Sequence, residues 1–186
     1  MKKIIGMLLV GMLFFSCSLA PDEVACGQIV DCPEAIAAKA FYFAEQYRDT
    51  ETVYVWGGQD GLRAALALDC SGLVVRCYGY AVEDSAYWLL FDDASSADFY
   101  ERYARLVPLA ELRQGDLLFM GEQSTDTVTH IALFDRLDGE ELYFIDSTQK
   151  DTDGDGKNDI DGVTERHYAC DDERIKAFGI LQVGTL

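Results

Sequence analysis

The chain has 186 residues, 49% apolar and 12% aromatic, with a formal net charge of −18. That length and composition exclude a disordered chain and suit one domain with its own core. Acids outnumber Lys and Arg by 33 to 15, so the chain repels phosphate backbones and a nucleic-acid partner is excluded; solubility is the plain reading of the charge.

At the N-terminus Lys2 and Lys3 precede IIGMLLVGMLFF (residues 4–15), twelve apolar residues closed by Ser16 and Cys17. Such a run is too short to span a bilayer and has the form of a secretory signal. The FFSC junction resembles a loose bacterial lipobox, which implies cleavage before Cys17 and lipidation of that residue; the alternative is an ordinary signal peptide with an incidental cysteine. Residues 1–16 are therefore read as signal peptide, 17–32 as lipidated tether and 33–186 as the folded domain. Losing Lys2 and Lys3 with the signal takes the net charge from −18 to −20. Acyl chains on Cys17 hold the domain at a membrane surface outside the cytoplasm. An exported chain can form disulfides. Cys26 and Cys32 flank a short loop and are the favoured pair, and Cys77 is either a buried thiol or a partner for Cys170.

Pro33 opens an Ala-rich helix over residues 33–49, with Ile36, Ala40, Phe43 and Tyr47 on one face. TVYVWGG (52–58) reads as a short strand ending in a Gly-Gly turn. CSGLVVRCYGY (70–80) is apolar nearly all round, so the spacing predicts a buried helix, with Asp69 as its N-cap. SSADFYERYA (95–104) reads as another helix, capped by Ser96. The second half changes period. Residues 115–120, 129–137, 141–148 and 177–183 read as strands, and the Gly turn at 137–140 makes the middle two a hairpin. Helices first, then an antiparallel sheet, is an α+β order.

Cys70 stands at the start of the buried helix, between Asp69 and the small residues Ser71 and Gly72. Four roles are open to it: half a disulfide, a metal ligand, a buried filler or a nucleophile. On one helix Cys70 and Cys77 are two turns, about 10.5 Å, apart, too far for a bridge. No cysteine pair has the spacing of a zinc site. A helix N-terminus stabilises a thiolate, and small neighbours admit a substrate, so the nucleophile is favoured. A cysteine nucleophile needs a base. His130, at the start of an apolar strand, is a better candidate than His167, which lies in an acidic and loop-like stretch. The 137–140 turn places Asp146 on the strand paired with that of His130, where it can fix the imidazole tautomer. A solvated acid on an edge strand is the alternative for Asp146.

YVWGG (54–58), DCSGLV (69–74), LRQGDLLF (112–119), HIALF (130–134) and FIDS (144–147) resemble, in order and spacing, the motifs of the NlpC/P60 cell-wall peptidases. Residues 94–112 resemble that family's linking segment, and the likeness covers about residues 33–183. The resemblance implies a papain-like α+β fold with N-terminal helices on an antiparallel sheet. It implies a cysteine peptidase that hydrolyses peptidoglycan stem peptides or muropeptides, commonly after γ-D-glutamate, without a cofactor for catalysis. Cys70 falls at the nucleophile, His130 at the base and Asp146 at the third position, usually a second His. Tyr54, Asp69 and Ser71 fall at positions beside the nucleophile and lining the substrate subsite. Ala132 stands where the family usually has Gly. An amidase or acyltransferase of the same fold and a non-catalytic surface lipoprotein are the competing readings. Oligomeric state is left open.

DTDGDGKNDIDG (151–162) matches much of an EF-hand-like loop, with Asp151, Asp153 and Asp155 alternating, Gly156 sixth and Asp159 ninth. Its twelfth position is Gly162 where a bidentate Glu belongs, and no strong helices flank it. A structural calcium is one reading and a solvated acidic turn the other.

Overall fold

The structure, a computed structural model, describes residues 27–59 and 66–185. The expected signal peptide, Cys17 and Cys26 lie outside those residues. No helix among the described residues is long and apolar enough to cross a membrane.

Two helices and a curved antiparallel sheet make the frame. Strand β1 (Ile29–Asp31) leads into helix α1 (Glu34–Arg48), whose N-cap is Pro33. Ile36, Ala37, Ala40, Phe41, Ala44 and Tyr47 form its buried face, while Phe43 is only partly covered. Strands β2 (Thr52–Tyr54) and β3 (Leu66–Leu68) pair in parallel and precede α2 (Cys70–Val82). Strand β4 (Tyr87–Leu89) follows, then a single helical turn, α3 (Ser96–Asp98), which widens into a π-helical turn over Phe99–Tyr103. The cap here is Ser95, not Ser96: Ser95 Oγ accepts from the Asp98 N–H, and the Asp98 carboxylate accepts from the Ser95 N–H. That reciprocal pair closes the turn one residue earlier than the expected cap. The expected helix to residue 104 stops at Tyr103, and β5 (Ala104–Val107) begins.

The remaining strands are β6 (Leu117–Met120), β7 (His130–Asp138), β8 (Glu141–Lys150), β9 (Ile160–Ala169) and β10 (Ile175–Thr185). They run in the order β1-β10-β6-β7-β8-β9, with β4 and β5 also paired to the long β10. Because β1 pairs with β10, the folded unit begins before residue 33. The β7–β8 hairpin turns at Gly139 (φ +62°), as the Gly turn predicts. Strand β9 was not expected. It carries the second histidine, so His167 lies on a strand, exposed and stacked on Tyr143, rather than in a loop.

The sheet is apolar on both faces. Leu73, Val74 and Cys77 of α2 meet Ile131, Leu133 and Ile145 on one side. Leu118, Met120, Ala132, Phe134, Leu142 and Phe144 fill the other, against Tyr168, Ile175 and Phe178. A fully buried Leu or Ile side chain contributes about 2 kcal/mol, so α2 is held firmly against the sheet. Cys32, Cys70, Cys77 and Cys170 are free thiols. Cys77 is the buried thiol of its two readings; burial pushes its pKa far up, and that of Cys32 up to about 12.

Candidate active site

The segment Tyr54–Gly58 and the start of α2 are bound together by one carboxylate. Asp69 Oδ1 accepts from the Gly72 N–H at 2.6 Å and from Ser71 Oγ at 3.0 Å, and Oδ2 accepts from the Gly57 N–H at 2.8 Å. Asp69 thus caps α2 and also holds the preceding turn, which is why it is nearly buried. The glycines permit this approach. Gly57 adopts φ +72°, and a methyl group on Gly72 would stand 2.0 Å from the Gly58 carbonyl oxygen. Cys70 is the first residue of α2, 7% exposed, in the helical turn whose N–H groups have no intrahelical acceptor.

Strand pairing brings the other groups in. His130 is the first residue of β7, and its Nε2 lies 2.5 Å from Asp146 Oδ2. Cys70 also acts on this ring and favours its charged form. Asp146 lies on β8 between β7 and β9, an interior strand, and its side chain is fully buried. It is therefore not a solvated acid on an edge.

Arg166 completes the cluster, and the sequence reading did not anticipate it. Its Nε donates to Asp146 Oδ1 at 3.0 Å, Nη2 donates to Asp146 Oδ2, and Nη1 donates to the Tyr168 hydroxyl at 2.7 Å. Nothing in the sequence marks Arg166, because the strand that carries it, β9, has no apolar alternation of its own. The β8–β9 register sets it beside that acid, with Asp146 opposite Thr164 and Phe144 opposite Arg166.

Burial disfavours a charged His130, but its bonds to Asp146 and Cys70 prevail and push its pKa up to about 10. Burial also opposes the Asp146 carboxylate, yet His130 and Arg166 hold its pKa below the usual range. The imidazolium form is thus favoured at neutral pH beside the thiol. Tyr54 is pushed up to about 12, first by burial and then by its neighbours Cys70 and Asp69, so its hydroxyl stays a donor.

A family model described as the NlpC/P60 family matches residues 51–166. The chain belongs to the NlpC/P60 family. No curated protein matches it. Among solved structures it is similar to NlpC1 from Trichomonas vaginalis, at 16% identity and a TM-score of 0.52, over 83% of this chain and 46% of that one. An NlpC/P60 family protein from Bacillus cereus is similar at 16% identity and a TM-score of 0.50, over 80% of this chain and 40% of that one. The chain spans less than half the length of both. At such identity the two structures establish the shared fold.

Within this NlpC/P60 domain, two cavities flank the Cys70–His130 pair. One of about 210 Å³ is lined by Trp56, Asp69, Cys70, Ser71 and Ser96. The other, about 430 Å³, is lined by His130, Lys150, Arg166, Tyr168 and Arg174. Thr129 borders both. Ala132, where the family usually has Gly, is fully buried in β7 opposite Leu118.

The acidic stretch 151–162 joins β8 to β9, so strands flank it and not helices. Carboxylate oxygens of Asp151, Asp153 and Asp159 lie within 4.8 Å of one another, and Asp155 is outside that group. Asp151 accepts from the N–H groups of Gly154 and Gly156, and Asp159 from Thr152. These bonds lower both pKa values, and the turn satisfies much of its charge internally.

Proposed function

We propose that this protein is an exported, lipid-anchored cysteine endopeptidase that hydrolyses peptidoglycan stem peptides at the γ-D-glutamyl–diamino acid bond. The observation that carries it is Cys70 at a helix N-terminus, acting on a His130 whose Nε2 is held by Asp146. Membership of the NlpC/P60 family supports hydrolysis of cell-wall material.

The Cys70 thiolate attacks the scissile carbonyl, and an N–H of the first α2 turn faces the developing oxyanion. His130 gives its proton to the leaving amine, and the acyl group stays on sulfur. Water then enters; His130 takes its proton, and the thioester is hydrolysed. Asp146 keeps the ring in the orientation both steps need. Tyr54, Asp69 and Ser71 form the acyl side of the cleft.

Digestion of defined muropeptides by wild type and Cys70→Ala, read by mass spectrometry, tests this. The expected product is a single Cys70-dependent cut after γ-D-glutamate. A cut between sugar and stem peptide favours the amidase reading, and transfer of the acyl group to an added amine favours the acyltransferase. Cleavage that survives Cys70→Ala overturns the proposal, and so does the absence of any cleavage. For the anchor, Cys17→Ser is expected to move the protein from the membrane to the soluble extracytoplasmic fraction. A structural calcium on Asp151, Asp153 and Asp159 is a separate part of the reading, supported by their convergence. A calcium titration is expected to raise Tm, and an unchanged Tm removes the ion without touching Cys70.

A further inference from the structure

The chain carries a net charge of −18, yet the larger cavity beside His130 gathers Lys150, Arg166 and Arg174. Among the described residues Glu122 is the one acid on its wall. Two of the cations are already paired: Arg166 holds Asp146, and Arg174 holds Asp172. Lys150 is different. Its Nζ donates to the Tyr168 hydroxyl at 3.2 Å, and among the described residues it has no carboxylate within ion-pair distance. The Arg174 guanidinium lies 3.7 Å above the Tyr168 ring, so both cations are arranged around one tyrosine. Lys150 also acts at longer range on Asp172, yet it is in no direct ion pair, and a half-buried ammonium so placed attracts an anion into the cavity.

Its place in the cleft says which part of a substrate reaches it. Cys70 lines the smaller cavity and His130 the larger. The acyl portion remains on sulfur, while the departing amine takes its proton from the imidazole. The fragment released first therefore lies on the His130 side.

We propose that this cavity is a carboxylate subsite for the leaving fragment, with Lys150 as the principal contact and Arg174 beside it. The proposal rests on the peptidase reading. In a stem peptide the carboxylate has two sources: the C-terminus of the released fragment, or the side chain of its diamino acid. An anion held there fixes the scissile amide in register before attack, so a substrate lacking it loses kcat/KM.

The test uses L-Ala-γ-D-Glu-L-Lys-D-Ala and its C-terminal carboxamide at fixed salt. Wild type is expected to favour the acid about tenfold in kcat/KM. Lys150→Met is expected to bring that ratio near one, and Lys150→Arg to keep it. Arg174→Gln lowers the same ratio and serves if Lys150→Met does not fold. A carboxamide peptide with diaminopimelate replacing lysine separates the sources: full cleavage assigns the subsite to the side-chain carboxylate, and slow cleavage to the C-terminus. An acid-to-amide ratio near one in wild type with all peptides overturns the subsite, as does a ratio that Lys150→Met leaves intact. Failure of the peptidase reading is distinguished by calorimetry of L-Lys-D-Ala and its carboxamide on Cys70→Ala protein. There the acid is expected to bind at least tenfold more tightly, with the difference lost on adding Lys150→Met. Equal binding of L-Lys-D-Ala and its carboxamide, together with equal binding of the lysine and diaminopimelate dipeptide carboxamides, overturns the subsite whatever the enzyme cleaves.

Discussion

In the proposed reaction His130 has to hold a proton for the leaving amine and still surrender it within each turnover. Its pKa of about 10 sets the pH range in which that proton is present. The alkaline limb of kcat/KM is therefore expected near pH 10. Asp146→Asn keeps the shape of the side chain and removes its charge. The limb is then expected to move down toward the ordinary imidazole value near 6.5, with kcat falling ~10²-fold. A limb that stays near 10 in Asp146→Asn contradicts this account of His130. The same raised pKa links charge to stability. The contribution of the charged ring is whole below pH 6.5, where the unfolded chain also protonates it, and is lost as pH rises through about 10. Arg166 acts on the other side of Asp146. Arg166→Met leaves that buried carboxylate with one cation where it had two, and is expected to cost about 3 kcal/mol in urea unfolding. The loss of a neighbouring positive charge moves the His130 pKa up, so this variant shifts the alkaline limb opposite to Asp146→Asn.

At the scale of elements, the site depends on how closely the Gly-Gly turn approaches α2. Gly72→Ala places a methyl group 2.0 Å from the Gly58 carbonyl oxygen, and backbone must move to admit it. The expected cost is about 2 kcal/mol, a fall in Tm of about 6 °C. Thiol labelling of Cys70 is expected to change with it, because the displaced turn carries the Gly57 N–H that Asp69 holds. An unchanged Tm and labelling rate would show that the turn is not a support of the nucleophile. Both helices and the β7–β8 hairpin were legible in the sequence, because their apolar spacing and caps are local signals. The Cys70, His130 and Asp146 positions were legible for a related reason: each sits at a marked place, a helix start, a strand start and an acid inside an apolar strand. Strands β1, β3 and β4 have 3 residues each, too few to show a period, and unlike β2, also of 3, none runs on into a Gly-Gly turn that marks it. Strand β9 is concealed by its composition. IDGVTERHYA follows an acidic turn, and its polar residues face Asp146 and solvent as well as the core. With β9 unread, Arg166 had no partner, since only the β8–β9 register sets it beside the acid.

For the whole molecule, the charge of −18 and the cations beside His130 act over different distances. The net charge is spread over the surface and opposes the approach of any anionic peptide from far away. Salt screens such long-range repulsion, since the Debye length falls from about 30 Å at 0.01 M to about 8 Å at 0.15 M. In the proposed subsite Lys150 acts at contact, inside a cavity, where screening is weaker. The two effects therefore separate with ionic strength. For an acidic stem peptide kcat/KM is expected to rise severalfold between 0.01 and 0.15 M salt, while a neutral peptide amide changes little. Stopped-flow or initial-rate measurements at low substrate read this directly. A rate that falls over the same interval would mean that the cationic cavity already steers substrate from a distance and outweighs the rest of the surface. The proposed anchor at Cys17 adds to this prediction: a tethered domain meets the proposed wall substrate less by free diffusion, so the salt dependence of the full chain is expected to be shallower than that of Cys17→Ser.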